Sequence, residues 1–276
     1  MQVWDKHFAE RSPMFQPLTD FAAKVQGACW PTADRLNVLA AQTATVSGGG
    51  HPLRFASASG QPLPGAADYE LRIHDEGVVP LRESNWHDLL NALAWLAFPR
   101  TKAALNRAHV DELRSTSGGR SGVRNRRRDA LTLFDESGVL VLSSSSAVLE
   151  GIRAFDWKRV FWDERETLWQ TTRFLLVGHG LYEKALSPYV GMTGHALLLD
   201  MPGGFEGLAE TAPPVVADAL SAAALRARLA HPRDLSPLPV LGVPGWWNAN
   251  SEAAFYGNTQ YFRSGRRARQ PVAAVE

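Results

Sequence analysis

Two histidine-bearing segments carry most of the chemistry this chain could perform. The first is Asn85-Trp86-His87-Asp88-Leu89-Leu90-Asn91. The second is Val177-Gly178-His179-Gly180-Leu181-Tyr182-Glu183-Lys184, with His195 a short way beyond. Each sets an imidazole near a carboxylate on a stretch otherwise built for a core. Such a pair can ligate a metal, move a proton or satisfy a buried ring. On a helix, His87, Asn91 and Trp95 form a stripe at i, i+4 and i+8. His87 is then a candidate acid–base imidazole oriented by Asn91, and Asp88 falls in the first turn, where the helix dipole favours a carboxylate. The plain alternative is a buried histidine satisfied by a neighbour. On the second segment His179 and Glu183 share a helical face, and His195 opens a strand. Two histidines and a glutamate form a common zinc set that leaves one position for water. His179, Glu183 and His195 are therefore the candidate ligands of a divalent metal. Gly178 and Gly180 allow backbone or ligand to approach closely.

Charge is unevenly placed, although the formal net charge is only +1. Arg114, Arg120, Arg124, Arg126, Arg127 and Arg128 follow one another with no acid between them, and Arg263, Arg266, Arg267 and Arg269 do so near the end. A guanidinium offers phosphate oxygens a planar fork of donors. Arg120, Arg124, Arg126, Arg127 and Arg128 are candidates to bind an anionic substrate or nucleic acid, against the alternative of a solvated loop.

The elements that must position these groups follow from the hydrophobic pattern. Helices are expected from Thr19 or Asp20 to about Ala28, from Pro31 to about Gln42, and over residues 85–98. In the last of these Trp86, Leu89, Leu90, Leu93 and Leu96 share a face and Pro99 ends the run. Further helices are expected over 101–113 and from Pro213 to about Leu229. Tyr69, Leu71 and Ile73 alternate with charged residues, which predicts a strand turning at Glu76-Gly77 into Val78-Val79. Residues 130–134 and 139–142 flank Asp135-Glu136-Ser137-Gly138 and predict a second hairpin. His195 to Leu199 predicts a buried strand. The expected architecture is a helix-rich α+β fold with two or three short antiparallel hairpins. It spans 1–262 as one domain: a helical N-terminal segment over 1–42, a core over 69–200, and a C-terminal helix and irregular wrap over 213–262. A basic tail, 263–276, follows.

Composition bounds the rest. The 276 residues are 45% hydrophobic and 21% charged, enough for a sizeable core without disulfide or metal support. The single cysteine, Cys29, excludes a disulfide framework and suits a reducing compartment. With no signal-like N-terminus and no apolar run of about 20 residues, a cytoplasmic protein that does not enter the membrane is expected. P-loop, dinucleotide-fingerprint, nucleophile-elbow and His-Glu-x-x-His motifs are absent, which lowers the weight of those chemistries.

Four stretches of this chain resemble a proteobacterial family known as domain of unknown function 3025. They are Asn85-Trp86-His87-Asp88-Leu89 with Phe98-Pro99-Arg100-Thr101-Lys102; Arg128-Asp129-Ala130-Leu131-Thr132-Leu133-Phe134-Asp135-Glu136; Gly178-His179 with Tyr182-Glu183-Lys184; and Gly242-Val243-Pro244-Gly245-Trp246. The resemblance covers about residues 70–262 and carries no reaction or catalytic residue with it. From the residues themselves, two functions stand. One is a metal-assisted hydrolase of an anionic, phosphodiester-like substrate. The other is a non-enzymatic binder of nucleic acid or an acidic partner through the 114–128 loop, with structural histidines. A scaffold anchored by tryptophans such as Trp246-Trp247 is a third.

Overall fold

Gly138–Ser143 is buried along its whole length, and its side chains divide by parity between two hydrophobic clusters. Val139 and Val141 join one, Leu140 and Leu142 the other. That is the mark of a strand covered on both faces. The computed structural model describes residues 2–58, 65–116, 126–205 and 212–265. In chain order its helices and strands are α1 (Thr19–Val25), α2 (Ala33–Gln42), β1 (Arg54–Ser57), α3 (Ala66–Glu76), β2 (Val78–Leu81), α4 (Trp86–Ala97), α5 (Pro99–Thr116), α6 (Arg126–Ser137), β3 (Gly138–Ser143), α7 (Ser146–Arg153), α8 (Arg165–Thr171), β4 (Thr172–Leu176), α9 (His179–Ala185), β5 (Thr193–Asp200), α10 (Ala212–Arg228) and β6 (Ser236–Pro239). Helices predominate, and the fold is α+β.

The larger sheet runs β4-β3-β5-β6. Its centre is parallel, β3 against β5, and both outer pairings are antiparallel. One face carries residues of α5, α6 and α10, including Leu105, Phe134 and Leu225. The other carries α4, α7, α9 and the aromatic N- and C-terminal segments. Burying each large apolar side chain contributes about 1.5–3 kcal/mol, so the strand parity is strongly enforced. A small parallel pair, β1 with β2, stands apart from it.

Helices α4, α6 and α9 carry the site, and α3 and α5 wall it. Asn85 caps α4 by accepting from the Asp88 amide at 3.0 Å. Its apolar face of Leu89, Leu90, Leu93 and Leu96 is buried, and α5 starts at Pro99, whose missing N–H costs nothing at a helix start.

Two expectations are corrected here. Tyr69–Ile73 lies in helix α3, not in a strand: Tyr69 and Ile73 are also four apart, and Ile73 is the fully buried position. Residues 130–137 are the body of α6, not a hairpin arm. Ala130, Leu131 and Phe134 bury one helical face, and Ser137 Oγ donates back to Leu133 O at 2.8 Å. Asp135 and Glu136 thus belong to the last helical turn before β3. Each pairing between these strands is separated in sequence by a helix, and the one tight antiparallel turn among the described residues is the isolated bridge of Val46 with Pro52, where the Ser47 amide donates to His51 O at 2.8 Å and the Leu53 amide to Thr45 O at 2.9 Å. No described helix is long and apolar enough to cross a membrane.

Candidate metal centre

The rings of His87 and His179 meet edge to face, with centroids 4.6 Å apart. Helix α4 brings the first and α9 the second. The end of α6 brings Glu136 between them, and ligand atoms of His87, Glu136 and His179 all lie within 4.8 Å of one another. The close approach depends on glycine. A Cβ on Gly178 would lie 2.4 Å from the Gly138 nitrogen, and one on Gly180 would lie 2.4 Å from Glu136 Oε2. The two glycines let the start of α9 press against the end of α6.

Each imidazole has a carboxylate behind it. His87 Nδ1 lies 2.9 Å from Glu183 Oε2. His179 Nδ1 faces Asp135 Oδ2 at 3.8 Å, while its Nε2 lies 3.5 Å from Glu136 Oε1. The carboxylate can only accept, so His87 Nδ1 is the donor to Glu183. His179 is buried, and its Nδ1 is the one buried side-chain polar atom without a hydrogen-bond partner among the described residues. Burial drives its pKa down to about 3, so the ring is neutral, as a metal ligand must be.

A buried polar chain holds this wall. Asn91 Nδ2 donates to Tyr69 OH at 2.9 Å, and Lys102 Nζ donates to Asn91 Oδ1 at 2.9 Å and to Asp135 Oδ1 at 2.5 Å. Lys102 is 4% exposed and lies over the Trp95 ring, 5.5 Å from its centroid. Burial pushes the Asp135 carboxyl up, but the Lys102 ammonium overrides it and holds the carboxyl at about 2. Burial and the neighbouring Asp135 charge raise Glu136. Clustered carboxylates around the two imidazoles favour a cation between them.

The site opens into a cavity of about 340 Å³, lined among others by Tyr69, Glu70, Arg82, His87, Asp88, Asn91, His109, Arg128, Asp135, Glu136 and His179. A second cavity, about 690 Å³, borders the other side of His87 and Glu136 and includes Glu183, Lys184 and His195.

Of the sequence-derived site residues, His87, His179 and Glu183 come together. Asp88 and Asn91 lie on the same pocket wall but are already engaged. Asp88 accepts from the Arg82 guanidinium through both oxygens, at 2.7 and 2.9 Å, and from the Arg82 amide at 2.7 Å. His195 does not join the His87–His179 pair. Its Nδ1 lies 2.8 Å from Ser137 Oγ, and because the Ser137 proton goes to Leu133 O, the His195 ring donates. The converging set is therefore His87, Glu136 and His179, with Glu183 behind His87. Arg128 lines the pocket. Arg127 pairs with Glu112 at 2.9 Å, Arg126 is exposed at the start of α6, and Arg120 and Arg124 lie outside the described residues. Glu136, Asp135, Lys102 and Glu70 were not singled out from sequence. The helical spacing of Ala130, Leu131 and Phe134 was the signal for the first two.

The fold and the site define a helix-rich α+β protein with a pocket of two imidazoles and several acids. Residues 53–266 match the family described as Protein of unknown function (DUF3025), and the chain belongs to that family. No curated protein and no solved structure matches it.

Proposed function

We propose that His87, Glu136 and His179 hold one divalent cation, zinc by preference, and that the protein is a metal-assisted hydrolase of an anionic ester such as a phosphodiester. The observation that supports this most is the pairing of convergence with backing. Three ligand atoms lie within 4.8 Å, and the far nitrogen of each imidazole faces its own carboxylate. Metal-bound histidines commonly hydrogen-bond a carboxylate through the far nitrogen, as His87 does with Glu183, which orients the ring and raises the basicity of the ligating nitrogen. Two histidines and one carboxylate leave a fourth position for water, whose pKa a bound zinc would lower toward 7. Arg128 on the cavity wall supplies a guanidinium suited to an anionic group.

The test is turnover of bis(p-nitrophenyl) phosphate by protein reloaded with zinc or manganese. Activity should appear with metal, vanish with chelator and fall at least 100-fold in His87→Ala. Metal-independent turnover, or none after reloading, would count against the reading.

A further inference from the structure

Glu70 lines the same 340 Å³ cavity as His87, Glu136 and His179, and nothing in the metal reading uses it. Its neighbour Asn106, on α5, is 2% exposed. Asn106 Nδ2 donates to Glu70 Oε2 at 2.7 Å and to the Glu70 carbonyl at 2.9 Å. The other end of that amide is also tied, since Asn106 Oδ1 accepts from the Gly48 amide at 3.1 Å. One carboxylate oxygen is thus fixed. This is how a positioned acid or base is built, not how a solvated surface glutamate sits.

We propose that Glu70 is the proton donor to the leaving group of the ester cleaved in this pocket. The inference rests on the hydrolase reading above and adds its second catalytic residue. Water activated at the His87–Glu136–His179 set adds to phosphorus and releases its proton to solvent. The bond from phosphorus to the departing oxygen breaks, and that oxygen takes the Glu70 proton and leaves as an alcohol. Solvent then reprotonates Glu70.

The surroundings agree with that role. Burial raises the Glu70 carboxyl to about 7, against the lowering effect of the Asn106 hydrogen bond; Asp135 raises it further, and Lys102 and Arg128 lower it. Tyr69 on the same helix stays a protonated donor because burial raises it well above its ordinary value. His109 on α5, pushed down to about 4 by burial, is neutral and adds no positive charge. A carboxylic acid that still holds its proton near neutral pH is suited to protonating an alkoxide, which cannot leave unaided.

The experiment compares metal-loaded wild type and Glu70→Gln on two probes. One is bis(p-nitrophenyl) phosphate, whose phenoxide departs without a proton. The other is a dinucleoside monophosphate, whose sugar alkoxide does not. Glu70→Gln should lose at least about 100-fold in kcat on the dinucleotide and only a few-fold on the nitrophenyl ester. The alkaline fall of the wild-type dinucleotide rate, centred near pH 7, should disappear in the variant. Asn106→Ala should move that fall to higher pH, because the hydrogen bond that lowers Glu70 is gone. Equal losses on both probes, or no loss, with bound metal and melting temperature unchanged, would overturn the role of Glu70 alone. A wild type that binds no metal, or that binds it and cleaves neither probe, would overturn the hydrolase reading and the role of Glu70 together.

Discussion

Lys102→Met is the sharpest perturbation of the wall behind His179. Methionine fills much of the same volume and keeps the contact with Trp95, but it removes an ammonium that is 4% exposed and lies 2.5 Å from Asp135 Oδ1. Removing one partner of a fully buried ion pair costs about 3–5 kcal/mol; the Asp135 side chain left behind is 20% exposed, which brings the cost here to about 2–4 kcal/mol. Asn91 Oδ1 also loses its donor. The pH dependence gives a second magnitude. A carboxyl held at about 2 in the fold and near 3.9 in the unfolded chain contributes about 2–3 kcal/mol, fully present above pH ~4 and lost as pH falls toward 2. The two figures agree within their precision. At about 2–4 °C per kcal/mol for a chain of this size, Tm should drop by about 4–16 °C. Urea and thermal unfolding at pH 7 would measure it. Lys102→Met with Asp135→Asn removes both charges and should recover more than half of the loss, since a pair deleted together strands no charge. A single variant within about 1 kcal/mol of wild type, or a double variant no better than the single, would refute the reasoning.

Other outcomes follow from the same geometry. His109 and His179 are pushed by burial to about 4 and about 3, against about 6.5 unfolded. The unfolded chain therefore binds protons that the fold refuses, which removes roughly 4 kcal/mol between pH 7.5 and 5; Glu70, raised to about 7 from about 4.3 unfolded, works the other way and returns roughly 2.5 kcal/mol, so stability should fall by roughly 1–2 kcal/mol over that range. In Glu70→Gln the opposing part is gone and the fall should steepen toward about 4 kcal/mol; a variant no steeper than wild type would contradict it. The two site glycines should separate stability from metal binding. In Gly178→Ala the new methyl meets backbone at 2.4 Å, whereas in Gly180→Ala the hard clash, at 2.4 Å, is with the movable end of Glu136 and the Glu136 carbonyl at 3.1 Å need shift only by tenths of an ångström. Gly178→Ala should cost about 2–4 kcal/mol in unfolding experiments. Gly180→Ala should melt near wild type yet bind zinc at least tenfold more weakly by titration calorimetry, and the reverse order would sink the assignment.

The helices that read clearly in the sequence were those with a one-sided apolar face and terminal signals. Expected bounds of 85–98 stand against an observed Trp86–Ala97, and 213–229 against Ala212–Arg228. Short stretches read less well. Tyr69-Leu71-Ile73 fits a two-residue period over too few positions to exclude a helix, and packing decided for the helix. Asp135-Glu136-Ser137-Gly138 has the composition of a turn, yet Phe134 and Leu131 anchor it as the last turn of α6. Glu136 is not legible there, because a turn residue is not expected to face a helix so distant along the chain. His195 drew attention through type and spacing, but Ser137 satisfies it. Lys102 could not be recognised locally at all. A lysine on an amphipathic helix is ordinarily solvated, and what buries this one is an aspartate from another helix.

The most direct measurement is the metal content, by mass spectrometry, of tag-free protein purified without chelator and then reloaded with zinc. The wild type should hold close to one ion per chain. His87→Ala and His179→Ala should hold almost none, while His195→Ala, whose ring bonds Ser137 instead of facing the set, should keep the ion. A wild type that stays metal-free after reloading, or an ion retained without His87 and His179, would contradict the account.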